Sequence, residues 1–245
     1  AMREAVLGAD FGDEQKDEDP TTLALCDRVA DLLGKEAAIF MPSGTMCNEI
    51  AIRVHTQPGD AERGDDLSHR WRERYIQDGA GPRRDSVALA KDAGLATHMD
   101  GARLLNAVVK LGVKADQLTE GYDSCWTNFS KGLGAPVGAV LAGSSEFIRH
   151  AWRMKQQMGG ALRQSGILAA MCLYALDHNV DRLADDYALV AGISARLSKM
   201  DQVANVLPVE TNIVIFDLSD DAPDVTLSCP KINSSAILPP IATAI

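Results

Sequence analysis

Ser130-Lys131-Gly132-Leu133-Gly134-Ala135-Pro136-Val137-Gly138 sets one lysine behind a mixed apolar stretch and hems it with glycines. The run leads directly into Val137 to Ala142, a short apolar segment that reads as a buried strand. An amine that acts as a nucleophile needs partial desolvation to lower its pKa, and glycines let the backbone approach a bulky planar group. The same residues equally suit a strand end followed by a turn. The rest of the chain decides between the two.

Upstream, His98-Met99-Asp100-Gly101-Ala102-Arg103 follows Gly94-Leu95-Ala96-Thr97, which reads as the apolar tail of a strand. Asp100 is then an acid at a strand end, or the N-cap of a helix from Ala102 to Leu111, or both. Further upstream, Met41-Pro42-Ser43-Gly44-Thr45-Met46-Cys47-Asn48 joins an apolar run, Ala37 to Phe40, to the amphipathic Asn48 to Val54. Small hydroxyl and glycine residues at a helix start offer free backbone N–H groups and a positive dipole end to a phosphate. A plain capping turn would look the same. No Walker lysine follows Gly44 and no Gly-x-Gly-x-x-Gly pattern is present, which disfavours a nucleotide loop.

Residues 22 to 34 carry apolar positions at helical spacing and end in Gly34, suited to a helix C-terminus. Helices and short apolar segments then alternate, which implies an α/β fold with a mostly parallel sheet. Glu146 to Met158 reads as a basic-faced helix, residues 165 to 199 as a long helical tract, and Val209 to Leu218 as a strand.

The chain has 245 residues, 46% of them hydrophobic, enough to bury a substantial core. A formal net charge of −10 argues against a nucleic-acid footprint and against anionic membrane, leaving small metabolites as the expected ligands. Cys26, Cys47, Cys125, Cys172 and Cys229 form no Cys-x-x-Cys pair, so neither a metal site nor a disulfide framework is signalled. No stretch reaches the roughly 18 consecutive apolar residues of a membrane helix, and the start lacks the basic opening of a secretory signal. A cytoplasmic protein with reduced thiols is expected.

Read together, Glu18-Asp19-Pro20-Thr21, Leu32-Leu33-Gly34-Lys35-Glu36-Ala37-Ala38, Pro42-Ser43-Gly44-Thr45-Met46, Asp100-Gly101-Ala102-Arg103-Leu104, the Ser130 to Gly138 run and Leu162-Arg163-Gln164-Ser165-Gly166 resemble one family. They look like the low-specificity L-threonine aldolases, pyridoxal phosphate enzymes with the aspartate aminotransferase fold. The resemblance implies a mostly parallel central sheet flanked by helices and a small C-terminal domain that is incomplete. Residues 1–208 would form the large cofactor-binding domain, with a poorly matching, shortened stretch at 60–86, and 209–245 the start of the small one. The implied reaction is cleavage of L-threonine or a related β-hydroxy-α-amino acid to glycine and an aldehyde, with pyridoxal 5′-phosphate as cofactor. Another pyridoxal phosphate lyase or racemase on the same core, or a cofactor-binding relative without turnover, are the competing readings.

The family's roles map residue by residue. Lys131 would form the Schiff base with the cofactor, Asp100 pair with its pyridine nitrogen, and Ser43, Gly44 and Thr45 hold its phosphate. Arg103 would reach the cofactor's phenolic oxygen or the substrate carboxylate, an exposed helix-start arginine being the alternative. Arg163 matches an arginine that reaches the phosphate of a neighbouring subunit, which implies a homodimer or homotetramer with shared sites; a solvated surface arginine would look the same. His69 stands about where the family stacks a histidine on the cofactor ring near the substrate hydroxyl, and a loop histidine is the other reading. His98 reads as structural.

Four departures accompany the match. The family's opening strand with Asp-x-Arg-Ser-Asp has no counterpart before Ala1, and Lys16-Asp17 stands where Tyr-Gly is usual. Between Gly59 and Val87 the chain is too short for the family's strands and histidine-bearing loop. No arginine follows Arg196, although the family carries one there that grips the substrate carboxylate. The expectation is that segments of the native polypeptide are missing from this sequence, or that it is a truncated paralogue.

Overall fold

The computed structural model describes residues 1–57, 81–209 and 212–219. The chain divides into two compact units, Ala1–Leu183 and Ala184–Ile245.

The first unit is built on a four-stranded sheet of β1 (Ala37–Met41), β2 (His98–Met99), β3 (Ser124–Asn128) and β4 (Ala139–Gly143), in the order β1-β4-β3-β2. β2 and β3 pair in parallel, while β4 lies antiparallel between β1 and β3. So β1, β2 and β3 share one direction and β4 alone opposes them, which refines the expected mostly parallel sheet to a mixed one. The cause is local: only residues 129–138 separate β3 from β4, too few for a crossover helix, so the chain folds back.

The sheet buries both faces, and side chains alternate between them with the period of a strand. Phe40, Met99, Cys125, Val140 and Ala142 face α2 (Pro20–Leu33), α5 (Leu104–Leu111) and α8 (Gly166–His178), through Leu25, Val29, Leu33, Leu104, Leu105 and Cys172. Ile39, Met41, Trp126, Ala139 and Leu141 face α3 (Gly44–His55) and α7 (Ser145–Gln157), through Cys47, Ile50, Ala51, Phe147 and Ala151. Each large side chain so buried stabilises by about 1.5–3 kcal/mol, so both helical layers are needed to hold the sheet. α1 (Met2–Leu7), α4 (Gly81–Asp92) and α6 (Ala115–Thr119) complete this unit. Among the described residues no helix is long and apolar enough to cross a membrane.

Helix ends follow the sequence. Asp19 caps α2 by accepting from Thr22 N–H, Pro20 occupies its first turn, and Gly34 closes it at φ 61°. Elsewhere the boundaries move. Gly94 (φ +67°) closes the chain after α4 and Leu95 is exposed, so the strand before Asp100 is only His98–Met99 and not Gly94 to Thr97. The tract expected over 165–199 breaks at 179–182 into α8 and α9 (Leu183–Leu197). Lys155, on the helix read as basic-faced, is fully buried, while Arg149 and Arg153 are exposed.

In the second unit, β5 (Val203–Val206) pairs antiparallel with β6 (Phe216–Leu218) across a register shift. β6 is shorter than the strand expected from Val209.

Candidate active site

β1, β2 and β3 end at Met41, Met99 and Asn128, and the segments immediately beyond them carry Ser43–Thr45, Asp100–Arg103 and Lys131. Strands of one direction thus deliver all three motifs to one edge of the sheet. In open α/β sheets, that carboxyl edge is where ligands bind.

At the first of these ends the chain turns into α3. Ser43 caps the helix, its Oγ accepting from Met46 N–H at 3.2 Å, which leaves the N–H groups of Gly44 and Thr45 at a positive helix end. Gly44 is required by close approach, because a Cβ there would stand 2.0 Å from the Trp126 ring.

At the second end, Gly101 lies so close to β3 that a Cβ would meet the Trp126 carbonyl oxygen at 1.6 Å. This contact clamps the Asp100 turn onto the sheet. Asp100 Oδ1 accepts from Ala102 N–H at 2.9 Å, and Oδ2 accepts from the Asn48 amide at 2.9 Å. The expected capping role changes accordingly: α5 begins at Leu104, with Arg103 in the cap position, and the Asp100 bond closes a turn ahead of the helix.

The third end is a closed loop. Asn128 Oδ1 accepts from Ser130 N–H at 3.0 Å and from its hydroxyl at 2.9 Å, Gly134 N–H donates to Lys131 O at 3.0 Å, and Phe129 N–H donates to Gly138 O at 3.0 Å. Gly134 takes φ +71°, a conformation other residues reach only with strain. Lys131 is thereby held on a fixed turn with its side chain open to solvent. Partial burial of the ammonium lowers its pKa, the Arg103 cation lowers it further, and the Asp100 carboxylate opposes both. Lys131 therefore senses the charges of both Arg103 and Asp100.

The beta-eliminating lyase family model matches residues 1–74 and 84–221. Low-specificity L-threonine aldolase 1 of Arabidopsis thaliana is 33% identical over 279 residues, an alignment that takes in 90% of this chain and 78% of the relative. The low specificity L-threonine aldolase of Escherichia coli K12 is 32% identical over 274 residues, covering 90% of this chain and 81% of its own. The chain belongs to the low-specificity L-threonine aldolase family. Both alignments are longer than this 245-residue chain, so its relatives carry positions that have no counterpart here. The Leishmania major threonine aldolase structure superposes with a TM-score of 0.67 at 16% identity, over 88% of this chain and 79% of that one, which establishes the shared fold.

Within this threonine aldolase family fold, the remaining sequence candidates fall in different places. His69 lies outside the described residues. Arg163 is exposed and pairs with Asp13 at 2.5 Å, while its carbonyl accepts from Glu14 N–H. Residues that sequence reasoning passed over also reach the site. Asn48 Oδ1 accepts from Trp126 Nε1–H at 2.6 Å and lies 3.2 Å from His98 Nε2. His98 Nδ1 is 2.8 Å from Ser124 Oγ, which is 2.7 Å from His55 Nε2. His98, read as merely structural, is thus one link in a bonded series that ends on Asp100. Burial, with His55 beside it, pushes its pKa down to about 3, so it is neutral. A usable signal existed: His98 and Asp100 flank the buried Met99 and must share the opposite face, the one α3 covers.

Proposed function

We propose that this chain is a pyridoxal 5′-phosphate-dependent aldehyde-lyase that cleaves L-threonine, or a related β-hydroxy-α-amino acid, to glycine and an aldehyde. The observation that carries this reading is the gathering of the phosphate-type turn, the acid and the partly buried, solvent-accessible amine at one carboxyl edge of the sheet. That donor set fits the cofactor, which needs an anion site, an acceptor for a protonated ring nitrogen and a nucleophilic amine. Gly44 and Thr45 would hold the phosphate through their first-turn N–H groups, with Ser43 and Thr45 hydroxyls beside them. Asp100, fixed by Asn48 and Ala102, would accept from the ring nitrogen. Lys131 is the catalytic residue: its lowered pKa leaves more free amine near neutral pH than a surface lysine has. Arg103, whose charge acts on Lys131, would offer its fork of donors to the substrate carboxylate or to the phenolic oxygen. When bound, the cofactor supplies an electron sink for the charge that develops on the substrate Cα as the Cα–Cβ bond breaks.

Arg163 is assigned to a neighbouring subunit's phosphate, which requires its release from Asp13 and makes the working unit a homodimer or homotetramer. A cytoplasmic setting suits the free thiols of Cys26, Cys47, Cys125 and Cys172. The family-model match keeps β-elimination as a second reading.

The test is product analysis with L-threonine and added pyridoxal 5′-phosphate. Acetaldehyde and glycine are expected in equal amounts, and Lys131→Ala is expected to lower their formation by about a thousand-fold or more, as loss of a covalent nucleophile does. No aldehyde from threonine or other β-hydroxy amino acids would overturn the reading. A 2-oxo acid with ammonia in its place would select β-elimination.

A further inference from the structure

Asn48 and His55 stand seven residues apart on α3, two turns along the same face. Opposite them, His98 and Asp100 project from the end of β2, while Ser124, the register partner of His98, and Trp126 project from β3. Helix and sheet thus bring six polar side chains into one bonded series, and its direction can be deduced.

An indole N–H can only donate. Trp126 Nε1 therefore fixes the Asn48 oxygen toward itself at 2.6 Å, which turns the Asn48 NH2 group to Asp100 Oδ2 at 2.9 Å. His98 Nε2, facing that same oxygen, must carry its proton, so Nδ1 is the acceptor for the Ser124 hydroxyl. Ser124 Oγ, having donated, then accepts from His55 Nε2–H. Every donor points the same way, from His55 through Ser124, His98 and Asn48 to the carboxylate. The neutral state of His98 agrees with this order, since a charged imidazole would have no acceptor nitrogen for Ser124. Other charges lie at the two ends: Asp123 acts on His55, and Asp100 acts on Lys131, as does the Arg103 cation. Asp100 spends one lone pair of each oxygen on Asn48 and Ala102, leaving one on each for a further donor.

We propose that Asn48 is a positioning residue for Asp100, and that the series His55–Ser124–His98–Asn48, its direction set by Trp126, holds the carboxylate on the cofactor's ring nitrogen. This rests on the reading of Asp100 given above. Such a role is specific to the ring nitrogen, whereas a merely structural role is not.

The experiment titrates the cofactor-free chain with pyridoxal 5′-phosphate and with its 1-deaza analogue, which has C–H in place of the ring nitrogen. Binding is followed by absorbance for the unaltered chain, Asn48→Ala and Trp126→Phe. Asn48→Ala is expected to weaken pyridoxal 5′-phosphate binding on the order of ten-fold, the scale of outer contacts that orient a binding group, and to leave the analogue's affinity unchanged. Trp126→Phe keeps an aromatic ring in the core and is expected to show the same selectivity with a smaller loss; it is read in the same way if Asn48→Ala does not fold. Equal losses for both compounds, or a loss for neither, would overturn this inference alone. Failure of the unaltered chain to bind either compound would overturn the cofactor reading and this inference with it.

Discussion

Lys131 and Lys155 both have amines whose pKa is lowered chiefly by burial, yet the molecule uses them oppositely. Lys155 sits on α7 with 0% exposure, forms an ion pair with Glu14, and lies 6.0 Å from the Phe40 ring and 5.7 Å from that of Trp152. Glu14 also accepts from Leu162 N–H at 3.2 Å, so the pair ties the N-terminal segment to the chain beyond α7. Its charge is spent inside the protein. Lys131 stands at the sheet's carboxyl edge, open to solvent, with the positive Arg103 and the negative Asp100 both acting on it. A desolvated amine marks a site only where a ligand can reach it; elsewhere it marks a clamp.

Breaking the clamp should give the largest change in stability. Lys155→Met leaves Glu14 buried without its cation and is expected to cost about 3–5 kcal/mol in urea unfolding, while Glu14→Leu with Lys155→Met is expected to recover most of it. If Lys155 served catalysis, the double variant would regain stability but not turnover; regained turnover is expected.

A pH-dependent effect, absent at neutral pH where the clamp already acts, separates the site's own polar series from the clamp. Because the His98 pKa is about 3 in the fold against an ordinary 6.5, the unfolded chain binds a proton between those values that the native chain refuses. The stability so contributed is complete above pH 6.5 and is lost as pH falls toward 3, at up to about 1.4 kcal/mol per pH unit. His98→Gln is expected to flatten this part of the acid limb of a denaturation series, and an unchanged slope would contradict the neutral, buried imidazole.

Much of this was legible in the chain because its signals are local. Apolar runs at 37–40 and 137–142, the Ser43 capping turn, Gly34, and the glycines around Lys131 each announce an element within a residue or two of where it stands. The order of the strands is not a local property. That β4 inserts between β1 and β3 follows from the short 129–138 return together with the packing of both faces. Asn48 and Lys155 were missed for the same reason. Periodicity says which face of a helix a residue occupies, but their meaning lies in what stands across from them: Trp126 and Asp100 for one, Glu14 for the other. Leu95 misled in the opposite way, since an apolar letter beside a strand is no promise of burial.

The comparison of the two lysines leads to one decisive measurement. The chain is mixed with pyridoxal 5′-phosphate, reduced with borohydride, digested, and the modified peptide identified by mass. Modification at Lys131 in one-to-one stoichiometry, retained when surface amines are spared by working below their pKa, is the predicted result. Modification spread over exposed lysines, with Lys131 no more reactive than the rest, would contradict the assignment of the strand-end lysine as the reactive amine.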